Sequence, residues 1–154
     1  MSIRKLLARS ASSMSTWGLR HIARRPAANM PGKIALKLDP QIIAESMGKV
    51  TEGSIVVVGT NGKTTITNMI ADALERQGKT VACNRTGANL AYGVATTLLQ
   101  TKGSVEWGVF ESDELWLAHT LPQVQASYVL LLNLFRDQLD RCGEIDRVQD
   151  AIVQ

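Results

Sequence analysis

The residues Gly59-Thr60-Asn61-Gly62-Lys63-Thr64-Thr65 combine what a phosphate-holding loop needs. Glycines let backbone N–H groups converge on an anion, a helix starting at Lys63 would present its positive dipole end, and an ammonium can reach terminal phosphates. Thr64 is placed to hold the magnesium ion that accompanies a nucleoside triphosphate. The general pattern has a further glycine five positions before its Gly-Lys-Thr core. Val57 stands there, so this is a shorter loop. The bland alternative is an ordinary strand-to-helix turn. Against it, Ile55, Val56, Val57 and Val58 precede the loop and an amphipathic stretch follows, which is the context the motif requires.

Glu111 follows a second apolar run, at a strand end where a hard cation among phosphates finds an oxygen ligand. Asp113 and Glu114 are better read as opening a helix, where negative charge is favoured. Asn89, Asn133, Arg136, Asp137 and Asp140 are candidates for the cleft wall, although polar groups satisfying one another at a strand end would look the same. Cys83 and Cys142, 59 residues apart, form neither a CxxC pair nor a disulfide framework. They point to a reducing compartment and to structural or incidental roles.

The elements that must position these residues are legible from apolar periodicity. Residues 53 to 59 form a branched strand ended by glycine. Between residues 63 and 76, Ile66, Met69, Ile70, Ala73 and Leu74 fall at helical spacing, and Gly78 supplies the stop. A short helical stretch at residues 40 to 47 comes before them. Residues 80 to 83, 105 to 110 and 127 to 132 read as further strands, 90 to 99 as a helix, and 144 to 153 as the start of another. The βαβαβ alternation predicts an α/β fold with a mostly parallel sheet and helices on both faces, and ligands then bind beyond the carboxyl ends of the strands. The loops after Val58, Phe110 and Leu132 should share that edge.

The chain has 154 residues, 45% of them hydrophobic, enough for one core and unlike a disordered segment. Its net charge of +3 is unevenly spread: eight positive charges precede the first acid, Asp39, leaving 9 basic against 14 acidic residues. The body is acidic, which argues against a nucleic-acid-binding face. No apolar run approaches the length of a membrane span. Residues 2 to 25 lack acid and are rich in Ser and Arg, and Ile3, Leu6, Leu7, Met14, Trp17 and His21 recur at helical intervals. A basic amphipathic helix packed on the body, peripheral attraction to anionic lipid, and a cleaved targeting segment all fit that pattern. Pro26, Asn29, Pro31 and Gly32 should mark a connector. The expected organisation is a leader and connector over 1–38, then 39–154 as the front portion of an ATP-binding domain, truncated at its C-terminal end.

The short loop from Gly59 to Thr65 resembles the signature of the Mur ligase family. Phe110-Glu111-Ser112-Asp113-Glu114 resembles the family segment whose first acid, here Glu111, coordinates magnesium. Asn133-Leu134-Phe135-Arg136-Asp137-Gln138-Leu139-Asp140-Arg141 is similar to a family stretch that usually carries histidines where Gln138 and Arg141 stand. With Asn84-Arg85-Thr86-Gly87-Ala88-Asn89, that departure resembles the MurT-type branch, the synthetase subunit of lipid II isoglutaminyl synthase. The resemblance implies a Mur ligase central domain-like fold and a cytoplasmic bacterial enzyme of peptidoglycan synthesis, with peripheral contact at the inner face of the membrane left open. It further implies ATP-dependent amidation of the D-glutamate α-carboxyl of lipid II through an acyl phosphate, with ammonia from a GatD-type glutaminase. Gly59, Thr60, Asn61, Gly62, Lys63, Thr64 and Thr65 would bind ATP, Lys63 would be catalytic, and Thr64 and Glu111 would hold Mg²⁺. Zinc and the acceptor surface are expected beyond residue 154, so this stretch alone should be inactive. Another Mur-like ligase, such as a folylpolyglutamate synthase or muropeptide ligase, and a non-catalytic ATP-binding module are the alternatives. Lys63→Ala should abolish the reaction and leave the fold intact.

Overall fold

In the computed structural model, residues 7, 10–15 and 29–134 are described. Residues 10–15 are helical, and Leu7 and Met14, expected on an apolar face, are 56% and 75% exposed. The rest of the leader, the segment from Arg136 to Arg141, Cys142 and the expected helix at 144–153 lie outside the described residues.

The ordered body runs α1 (Met30–Leu38), α2 (Ile42–Ser46) with a 3-10 turn (Met47–Lys49), β1 (Val50–Val58), α3 (Lys63–Arg76), β2 (Val81–Cys83), α4 (Ala91–Gln100), β3 (Val105–Glu111), a 3-10 turn (Glu114–Trp116), α5 (Leu117–Val124) and β4 (Tyr128–Leu131). The sheet has the order β2-β3-β1-β4 and every pairing is parallel. The expected parallel α/β architecture is therefore borne out. Because the strands all run one way, Val58, Cys83, Glu111 and Leu131 end at one edge. The chain leaves β1 toward β2 on one side and later crosses to β4 on the other, which opens a crevice at the end of β1.

Alternation along the strands sorts the core into two layers. Val56 and Val58 of β1 and Phe110 of β3 share one apolar cluster with Ala35, Ile42, Ile43, Val94, Leu98, Leu117 and Val124, so α1, α2, α4 and α5 cover that face. Val57 and Val109, also fully buried, point the other way, where α3 crosses β1, β2 and β3. Val57 is in register with Glu111. Glu111 therefore projects on the α3 side. Among the described residues strand β4 is an edge, and its four residues are all exposed. Among the described residues no helix is long and apolar enough to cross a membrane.

Pro31 and Gly32, expected to mark a connector, instead lie inside α1. Proline suits the first turn because an N–H there has no helical partner. Gly32 permits backbone contact with α4: its N–H donates to Thr96 Oγ1 at 2.9 Å. A Cβ on Gly32 would run into the Tyr92 carbonyl oxygen and sit 2.7 Å from Thr96 Oγ1. Alanine gains about 1 kcal/mol of helix propensity over glycine, but forcing α1 off α4 costs about 1–3 kcal/mol or more. Gly32→Ala in the intact protein should therefore lower the urea midpoint, whereas Gly48→Ala, with nothing near its added Cβ, should shift stability by less than about 0.5 kcal/mol.

Candidate functional site

The site grows from the end of β1. Gly59 and Gly62 take φ of +144° and +86°, conformations that cost a side chain but suit glycine. They turn the chain back so that Gly62 caps α3, with no side chain capping the helix. The first-turn N–H groups of a helix lack intrahelical partners. Here they face a cleft of about 310 Å³ lined by Thr60, Asn61, Gly62, Lys63, Thr64, Thr65, Gly87, Asn89 and Glu111. The structure thus brings all the loop residues from Thr60 to Thr65 together with Asn89 and Glu111. Gly59 lies behind them as the buried hinge.

Asn133, read from sequence as cleft wall, braces the loop. Its carbonyl accepts from Thr60 N at 2.9 Å, its Oδ1 accepts from Asn61 N at 2.9 Å, and its Nδ2 donates to the Asn61 carbonyl at 3.0 Å. A second asparagine, Asn84, joins the ends of β2 and β3. It is buried, donates to the Ala88 and Glu111 carbonyls at 2.8 and 3.0 Å, and accepts from Glu111 N at 2.9 Å. This clamp fixes the Glu111 backbone. It also shapes the turn at Gly87, whose φ is +75°.

Gly87 keeps the space beside Thr64 and Glu111 free of a side chain. A Cβ there would lie 3.2 Å from Thr64 Oγ1 and 3.9 Å from Glu111 Oε1. Glu111 is 1% exposed, and its Oε2 has no hydrogen-bond partner among the described residues. A buried carboxylate oxygen without a donor is costly unless a cation arrives. The hydroxyl of Thr64 and this oxygen are hard donors of the kind magnesium takes with phosphate and water as its other ligands. Among the described residues no three His, Cys, Asp or Glu side chains cluster to hold a metal. A metal shared with a bound phosphate chain requires no such cluster.

Lys63 is 8% exposed. Its Nζ donates to the Gly59 carbonyl at 2.5 Å and the Thr60 carbonyl at 3.2 Å, and lies 3.8 Å from Glu114 Oε1. Sequence reasoning assigned Glu114 to a helix start. It does open a 3-10 turn, yet it is 2% exposed and faces the lysine. No local signal separates a capping acid from a buried one, because the group it faces, Lys63, lies about fifty positions earlier in the chain. Removing one partner of a buried pair costs about 3–5 kcal/mol. Lys63→Ala, expected above to leave the fold intact, would leave Glu114 without this partner.

His119 and Cys83 are not among the residues that line the cleft. His119 is exposed and its ring lies 5.7 Å from that of Trp116. Cys83, at the end of β2, is partly buried, and desolvation pushes its thiol up to about 11 against the opposing pull of Arg85. Since the thiolate is the nucleophile, its alkylation by iodoacetamide should be slow at pH 7.5 and should accelerate by about tenfold per pH unit until pH approaches 11. Peptide mass spectrometry of the Cys83 peptide checks this. Fast labelling at neutral pH would contradict the burial.

A parallel α/β domain with a glycine loop carrying its central strand into a helix is the class that this geometry defines. The sequence matches the Mur ligase middle domain over residues 57–154, and the chain belongs to the Mur ligase family. It is 37% identical over 156 residues to the MurT subunit of lipid II isoglutaminyl synthase (glutamine-hydrolyzing) of Streptococcus pneumoniae, covering 99% of this chain and 34% of that protein. The MurT subunit of Staphylococcus aureus is 34% identical over 152 residues, covering 92% and 35%. A UDP-N-acetylmuramate–L-alanine ligase of Mesorhizobium japonicum is 33% identical over 101 residues, covering 66% and 20%. The chain thus spans about a third of the length of the MurT relatives.

Among solved structures, MurF of Acinetobacter baumannii superposes with a TM-score of 0.64 at 24% identity, covering 77% of this chain and 26% of that one. MurF of Thermotoga maritima in complex with ADP gives 0.64 at 22% identity, covering 79% and 28%. These likenesses establish the fold. The resemblance to Mur ligases, and within them to the MurT-type branch, is borne out.

Proposed function

We propose that this chain forms the nucleotide-binding part of an ATP-dependent carbon–nitrogen ligase that converts the D-glutamate α-carboxyl of lipid II to the amide. The observation that carries the reading is the convergence of Lys63, Thr64 and the orphaned Glu111 oxygen on one cleft at the start of α3. The likeness to MurT subunits over nearly the whole chain supports the choice of acceptor. Because those relatives are named as subunits of a glutamine-hydrolyzing synthase, the ammonia is assigned to a separate, GatD-type glutaminase.

The chemistry balances in two steps. A carboxylate oxygen of the acceptor attacks the terminal phosphorus of ATP, the bond to ADP breaks, and an acyl phosphate forms. Ammonia then attacks the acyl carbon, inorganic phosphate leaves with the bonding electrons, and loss of a proton leaves the amide. Phosphoryl transfer depends mainly on positioning and charge neutralisation. The N–H groups at the start of α3 would fix the phosphate tail, and the Lys63 ammonium would offset charge on the terminal phosphate. Thr64 and Glu111 would hold Mg²⁺, which supplies further neutralisation of the phosphate oxygens. Asn133 and Asn84 hold the loop and Glu111 in place.

Amide formation by the intact protein with its glutaminase partner, ATP and lipid II tests this directly. Thr64→Val and Glu111→Gln should each lower kcat by about a hundredfold or more, on the scale seen when one preorganised charge-stabilising group is lost. Undiminished turnover in either variant would remove the site assignment. Phosphate release that required an amino acid in place of ammonia would point to a different Mur-type ligase.

A further inference from the structure

Glu114 has no part in the roles assigned above, although its carboxylate is among the most buried polar groups of the domain, at 2% exposure. Neither of its oxygens has a hydrogen-bond partner among the described residues. A leucine or glutamine would fill the same volume without the desolvation cost of an ionised acid. What compensates Glu114 is the Lys63 ammonium at 3.8 Å. That ammonium is also tied to the Gly59 and Thr60 carbonyls of its own loop.

A triphosphate entering at the start of α3 would compete for the same ammonium. As Lys63 turned to the phosphates, the buried Glu114 carboxylate would be left without its counter-charge, which is costly. Only another cation restores the balance. The donors for one, Thr64 Oγ1 and Glu111, border the same cleft. We propose that Glu114 is a positioning residue that holds Lys63 back from the phosphates and so makes nucleotide binding conditional on a divalent cation. The proposal rests on the nucleotide reading given above, and its test separates the two.

A non-hydrolysable ATP analogue is titrated into the intact protein by calorimetry, once in excess EDTA and once in excess MgCl₂. Glu114→Gln should tighten binding in EDTA by about fivefold or more, within the ordinary range of coupling between two ligands. Binding in magnesium should change less, so the ratio of the two affinities shrinks. Taking that ratio between variant and wild type cancels the solution affinity of magnesium for the analogue. An unchanged ratio would overturn the proposal while leaving the nucleotide site standing. A wild-type protein that bound the analogue under neither condition would overturn the nucleotide reading itself.

Stability provides the second measurement. Lys63→Met should lower the denaturation midpoint, and adding Glu114→Gln to it should recover most of that loss, because the stranded carboxylate is gone. Additive effects of the two substitutions, or failure of Glu114→Gln alone to fold, would make Glu114 a purely structural residue and overturn the proposal.

Discussion

A lysine ammonium held almost out of water at the end of the central strand is the constraint on which the site depends. Lys63 begins α3 and is 8% exposed, so the loop before it must supply acceptors. The turns at Gly59 and Gly62 do so by directing the Gly59 and Thr60 carbonyls at Nζ. That loop is not self-supporting. A Cβ at Gly59 would lie 3.0 Å from both the N and the O of Asn133, so the chain beyond β4 packs directly on it. Asn133 then bonds to the next two residues of the loop. The segment that follows β4 therefore braces the loop that follows β1.

The same dependence extends across the sheet. Asn84 after β2 holds the end of β3, and Ser112 N continues the β3–β1 pairing by donating to the Val57 carbonyl at 2.9 Å. Every strand end at this edge is tied to a neighbour by hydrogen bonds from an asparagine side chain or from backbone. Rigid strand ends with short polar clamps hold catalytic-type side chains more closely than long loops do. On one face of the sheet α1 and α4 meet at Gly32 and share the core with β1 and β3.

The two edges of the sheet use charge differently. At the amino end, Lys79 pairs with Glu52 at 2.7 Å and Glu106 at 2.9 Å. These groups are partly exposed, and the hydrogen bond from Lys79, followed by that from Thr80 N, holds the Glu106 carboxyl down at about 2. A depressed carboxylate stabilises the fold above its ordinary value of 4.5, and that contribution is lost as pH falls through about 2. Water solvates each partner there, so screening keeps the effect small. At the carboxyl end Glu114 and Lys63 have little water to share, and each depends on the other. Charge at one edge is a solvated tie between strands, and at the other it is a buried pair at the start of α3.

Short-range pattern determined much of this protein from sequence alone. The helix over residues 63 to 76 matches α3 in both bounds, because apolar spacing and a glycine stop are local properties. The parallel order followed from alternation of strands and helices, and the glycine loop between strand and helix was visible for the same reason. Glu111 stood out as a strand-end acid. Tertiary structure alone decided the rest. Pro31 and Gly32 read as punctuation but serve α1, since a glycine that permits contact with α4 has the same local signature as one that ends a helix. Asn133 and Asn84 became clamps only when distant strand ends met, and Glu114, one of three acids in a row of four residues, is buried facing a lysine about fifty positions away in the chain. Sequence records which groups are available. Which of them lose their water is set by contacts between segments far apart in the chain.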